Sequence, residues 1–93
     1  MRWSFVLHTT TAPMTERVRI LEHLAEAQRL VAENERDLFE QRERVEKLER
    51  DGEDTVEARQ RLTHIEERLR QHSEELEGVR RALAALPGAG VTP

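Results

Sequence analysis

Arg50-Asp51-Gly52-Glu53-Asp54-Thr55 is the one stretch between Thr15 and Leu86 that breaks an otherwise continuous helical pattern. Glycine readily takes the left-handed conformation that ends a helix, and Asp and Thr are residues that start one. Reading backwards from the break, Val45, Leu38, Val31 and Leu24 recur at every seventh position, with Leu48, Gln41, Asn34, Ala27 and Ile20 as a second rail. Reading forwards, Leu62, Leu69, Leu76 and Leu83 recur at the same interval. Ile65, His72, Val79 and Leu86 follow them three positions later. A seven-residue apolar repeat is the period at which one helix keeps a narrow stripe turned toward another. Two such stripes joined by a short turn predict an all-α fold, an antiparallel two-helix coiled-coil hairpin. Apolar and polar residues nowhere alternate over a strand's length, which argues against a sheet.

The boundaries follow from caps and breakers. The pattern predicts a helix over 14–50, a turn over 51–54 and a second helix over 55–86. Pro13 sits where a first turn tolerates a missing N–H. Arg44, Lys47 and Arg50 place positive charge on the last turns of the first helix, which suits the negative end of its dipole. Asp54 is expected to cap the second helix, with Glu57 completing a capping-box-like pattern and Thr55 as the alternative cap. Pro87-Gly88 ends that helix and leaves 87–93 as a frayed tail. Residues 1–13 hold the only Trp, the run Thr9-Thr10-Thr11 and no acid. They are expected to form a disordered N-terminal extension, with Met14 as the natural start. The intact mass of protein from its native host tests this, and a full-length mass refutes it.

Composition limits what such a chain can do. With 93 residues, 37% charged, 3% aromatic and a mean hydropathy of −0.77, it is one small domain without a thick core. The net charge of −4 and pI of about 5.6 give no overall attraction to nucleic acid or to anionic membranes. Cysteine is absent, so disulfides, thiol chemistry and Cys-based zinc sites are too. The apolar run Trp3-Ser4-Phe5-Val6-Leu7 is shorter than the roughly 7–15-residue core of a secretory signal. A cytoplasmic location without membrane contact is expected.

Three ladder positions are polar: Asn34, Gln41 and His72. A buried polar layer lowers stability but sets register and orientation. Asn34 and His72 lie at nearly the same height from Gly52, so a shared hydrogen-bonded layer is expected, with half-exposed positions in a thin hairpin as the alternative. His23, His64 and His72 each precede a glutamate by three residues: Glu26, Glu67 and Glu75. Di-iron bundles use the reverse order on inward-facing positions, so these read as surface residues and no metal site is expected. Ser4 and Ser73 lack a plausible base and orienter, and glycine occurs only at 52, 78, 88 and 90. No catalytic constellation, cofactor or small-molecule substrate is expected, and the chain reads as non-enzymatic.

The basic residues are almost all arginine, but glutamates interleave with them. Glu43–Lys47, Glu46–Arg50 and Glu57–Arg61 have the i,i+4 spacing that supports a helix and neutralises both members. A nucleic-acid-associated accessory role for the arginine-rich surfaces is the alternative reading.

Apolar residues also fall outside the narrow stripe. They are Leu21, Ala25, Leu30, Ala32 and Phe39 on the first helix and Ala82, Ala84 and Ala85 on the second; Leu21 and Leu30 flank the stripe and widen it at the end away from the turn, and Phe39 lies on another face. A widened stripe asks for a second surface. The expected function is helix–helix association, as a homodimer pairing into a four-helix bundle or with a helical protein partner. The expected interaction stripe is Leu24, Leu30, Val31, Leu38, Val45, Leu62, Ile65, Leu69, Leu76, Val79 and Leu83. On this reading Leu30→Glu weakens assembly and Arg29→Glu does not.

Over roughly Met14 to Leu86 the chain resembles a group of short, uncharacterised bacterial helical-hairpin proteins. The resemblance rests on Leu38, Gln41-Arg42, Val45, Leu48, Gly52, Asp54-Thr55, Ala58, Leu62, Glu66-Glu67 and His72. Its most specific piece is the Gly52-x-Asp54-Thr55-x-x-Ala58 turn, and the group often carries His where this chain has Glu53. The resemblance implies a hairpin and a bacterial origin, and it carries no activity with it.

Overall fold

The computed structural model describes the backbone of residues 2–87 and the side chains of residues 15–87. It contains two helices, α1 (Arg2–Arg50) and α2 (Val56–Ala84), packed along one another as a hairpin. No strand occurs among the described residues. The expected all-α hairpin is therefore the fold.

α1 begins well ahead of the expected start at Met14 and passes through Pro13. Proline removes one backbone donor and crowds the preceding turn, at about 3 kcal/mol. That marks a weak point in a helix rather than a compulsory end. Of the expected extension, residues 2–13 thus enter only as α1 backbone, and their side chains lie outside the described residues. So do residues 88–93 of the expected tail.

The turn is built from backbone. Gly52 has φ of +68°, the left-handed value expected for it. Its N–H donates to the Glu49 carbonyl at 3.1 Å, and the Glu53 N–H donates to the Leu48 carbonyl at 2.9 Å. These are the two bonds of a Schellman motif, and they satisfy carbonyls that the end of α1 would otherwise leave open.

The start of α2 differs from the first expectation. Thr55, the alternative, occupies the cap position, and its side chain makes no capping bond. Asp54 instead accepts the Val56 N–H on Oδ1 at 3.0 Å, an Asx turn over two residues. The Thr55 hydroxyl accepts from Arg59 Nε at 3.0 Å, which takes it away from the helix end. α2 closes with the Ala85 N–H on the Arg81 carbonyl at 3.0 Å and the Leu86 N–H on the Leu83 carbonyl at 3.2 Å.

The seam follows the two ladders. Val45, Ile65, Leu76 and Val79 are buried, together with Ala27 and Ala58, whose small side chains let the helices approach. Leu24, Leu30, Val31, Leu38, Leu62, Leu69 and Leu83 are half-buried. The molecule is only 14 Å thick along its shortest axis, one layer of helix. Among the described residues no large side chain falls below 2% exposure, because every seam residue has at least one open edge.

Candidate interaction surface

The heptad places each face. With Leu24, Val31, Leu38 and Val45 at a and Ala27, Asn34, Gln41 and Leu48 at d, the flanking positions of α1 and α2 meet as e with e and g with g. Arg42 lies 3.9 Å from Glu66, and Arg59 pairs with Glu49, both along the e flank. His23 Nε2 lies 3.1 Å from Glu75 Oε2 on the g flank. Such pairs set orientation more than stability, because exposed ion pairs contribute about 0–1 kcal/mol each. Sequence reasoning placed these residues on the surface without joining them. Their shared flank letters are the signal that could have done so.

The polar ladder members do not form one layer. Gln41 is 7% exposed and donates from Nε2 to the Ala58 carbonyl across the seam at 3.0 Å. Asn34 is 5% exposed and donates from Nδ2 to the Leu30 carbonyl of its own helix at 2.8 Å. Its Oδ1 is buried with no hydrogen-bond partner. His72 is half-buried, and no hydrogen bond joins it to Asn34. The shared layer expected of that pair is absent because the Asn34 amide turns back on the preceding turn, as short polar side chains in helices do.

One broad side of the hairpin is polar. Glu26 and Glu33 there reach round to clamp Arg29 on the back of α1 (Nη2 to Glu26 Oε2, 2.7 Å; Nη1 to Glu33 Oε2, 2.6 Å). The Arg29 hydrogen bond holds the Glu26 carboxyl below its ordinary value, and the Glu26 bond raises the Arg29 guanidinium in return. On the same side, at the open end, Ile20, Val79 and Ala82 line a shallow notch over Gly78, between His23 and Glu75. No three His, Asp or Glu side chains converge as a cation site among the described residues.

The other broad side is different. Val18 is 51% exposed, Leu21 43% and Phe39 66%, and Ala25 and Ala32 between them are also exposed. At about 100° per residue all five point within roughly 60° of one another. Leu21 and Phe39 were expected on separate faces, but they are five whole helical turns apart and so share a direction. Leu30, expected beside Leu21 as a flank of the same stripe, is half-buried on the opposite edge of the seam. Val18, Ala25, Ala32 and Phe39 form a seven-residue column of their own, one residue on from the a ladder. Val56, 57% exposed, opens α2 at the turn.

No described helix is long and apolar enough to cross a membrane. No known family, no curated protein and no solved structure matches the chain.

Proposed function

We propose that the protein acts by helix–helix association and performs no chemistry of its own. On this reading the ladder residues Val45, Ile65, Leu76 and Val79 serve to fold the hairpin. The surface left for a partner is the exposed face of α1. The observation that carries it is the run Val18, Leu21 and Phe39, large apolar side chains open to solvent along one direction of a single-layer hairpin. Scattered exposed apolar residues are ordinary, whereas an aligned set marks a contact surface. The arginine surface offers less: Arg29, Arg42, Arg59 and Arg80 are in ion pairs with glutamate within the hairpin, and the other arginines are interleaved with glutamates along both helices.

A photo-crosslinking amino acid at position 39, compared with one at exposed position 64 on the polar side, tests the reading in producing cells. Protein adducts from 39 and none from 64 are expected. Absence of adducts from 39 refutes it.

A further inference from the structure

We propose that the occupant of the Val18–Phe39 face is a second copy of the same chain, packed antiparallel across α1 about a two-fold axis between Gln28 and Arg29. This rests on the association reading and names its partner. The face has an order of sizes that suits itself: large at Val18 and Leu21, small at Ala25 and Ala32, large at Phe39. When the face is turned end for end on its own copy, Phe39 covers Val18 and Leu21 of the other chain at both ends. Ala25 then meets Ala32, and the small centre lets the two helices approach closely. A two-fold contact demands this kind of self-complementarity, because one patch must serve as both partners.

The charges beside the face obey the same symmetry. Two-fold antiparallel packing sets each flank against the same flank of the other copy. Along one flank lie Glu22, Arg29, Arg36 and Glu43. Glu22 then stands opposite Arg36 of the second copy, twice over. Glu22 and Arg36 are both exposed, and neither takes part in an ion pair among the described residues. Arg29 meets its own copy at the axis, where each guanidinium is already held by Glu26 and Glu33. On the other flank Gln28 meets Gln28, and Leu21 lies along the aliphatic stem of Glu35. A parallel two-fold arrangement would set this flank against the other one, leaving the Glu22 and Arg36 of the two copies on opposite sides of the contact.

Size sets the strength. From Val18 to Phe39 is about 32 Å of helix at 1.5 Å per residue, and the strip is roughly 10 Å wide. At about 320 Å² this is well under the roughly 800 Å² that a standard interface buries per partner. A weak dimer, in the upper micromolar range, is therefore expected, with each α2 on the outside.

Sedimentation equilibrium of the full chain from about 1 μM to 1 mM reads this directly. The wild type is expected to dimerise. Phe39→Ser removes a side chain that the hairpin does not bury, so helicity is expected to hold while the dimer is lost. Glu22→Arg sets arginine against Arg36 twice and is expected to weaken the dimer by about tenfold. Glu22→Arg combined with Arg36→Glu is expected to restore it, which a merely structural effect of either change would not do. Leu30→Glu, on the other edge, is expected to leave dimerisation unchanged provided circular dichroism shows the hairpin folded. A wild-type chain that stays monomeric overturns the proposal, and adducts from position 39 would then show that association itself survives. A dimer indifferent to Glu22→Arg, or one that the double variant does not rescue, overturns this face and register.

Discussion

Replacing Asn34 by leucine is expected to stabilise the hairpin. Asn34 is 5% exposed, and its Oδ1 is buried without a partner. A buried acceptor left unmet costs roughly 1–3 kcal/mol. Leucine has the same branched skeleton, with methyls where asparagine carries Oδ1 and Nδ2. The change removes the unmet acceptor and adds apolar surface to a seam position. What is lost is the 2.8 Å bond from Nδ2 to the Leu30 carbonyl. Its net worth is about 0.5–1.5 kcal/mol, and that carbonyl keeps its helical partner. The balance is a gain of about 1–2 kcal/mol, since burial of the added methyls also contributes. In a domain of this size that raises Tm by about 4–16 °C. Thermal unfolding followed by circular dichroism at low micromolar protein reads the effect on the hairpin itself. An unchanged or lower Tm refutes the reasoning, because it would mean that Oδ1 is satisfied in solution.

Gly52→Ala is expected to cost about 1–2 kcal/mol, all of it from holding a Cβ-bearing residue at φ +68°. Nothing lies within 4 Å of the added Cβ, so a much larger loss in urea unfolding would contradict a purely conformational cost. Ala27→Leu satisfies the heptad but enters the tightest point of the seam, at 2% exposure, and is expected to destabilise by about 1–3 kcal/mol through overpacking. A gain in Tm would show that the helices separate there without strain. The Glu26–Arg29 pair predicts an acid limb in the stability profile. The folded carboxyl lies below its ordinary value of 4.5, so its contribution is present above that pH and is lost as pH falls through the folded value. Arg29 is shifted upward, so its contribution persists throughout the neutral and mildly alkaline range. Glu26→Gln is expected to flatten the acid limb, and a variant that titrates like the wild type would place the dependence on other carboxylates.

The helices and their turn were readable because a seven-residue period and a left-handed glycine act locally. Leu24 to Val45 and Leu62 to Leu83 needed no knowledge of the partner helix to be recognised. Gln41 and Asn34 look alike on the ladder, yet one crosses the seam and the other folds back. That difference depends on which backbone lies opposite, and the carbonyl of Ala58 is invisible to periodicity. The cap at Thr55 was only the second choice because an Asx turn and a side-chain cap use the same residue types one position apart. Phe39 does not stand out beside Leu21 in the sequence because the a column, with Leu24, Val31, Leu38 and Val45, carries the stronger apolar period. The column Val18, Ala25, Ala32, Phe39 has the same period, but its alanines dilute the signal.

The geometry of the turn also orders events in time. Glu49 and Arg59 meet across 10 residues, Gln41 and Ala58 across 17, and His23 and Glu75 across 52. Closing the longest of these loops directly costs about 1.5 kcal/mol more than closing the shortest. Pairing that starts at Gly52 and spreads outward avoids this cost, and local pairing of this kind is fast. Opening retraces the same route from the far end, so amide exchange is expected to grade along α1 from slow near Val45 to fast near Ile20. The half of α1 that carries Val18 and Leu21 is the last to be pinned. Whatever covers it therefore acts on a segment that opens far more often than the turn does.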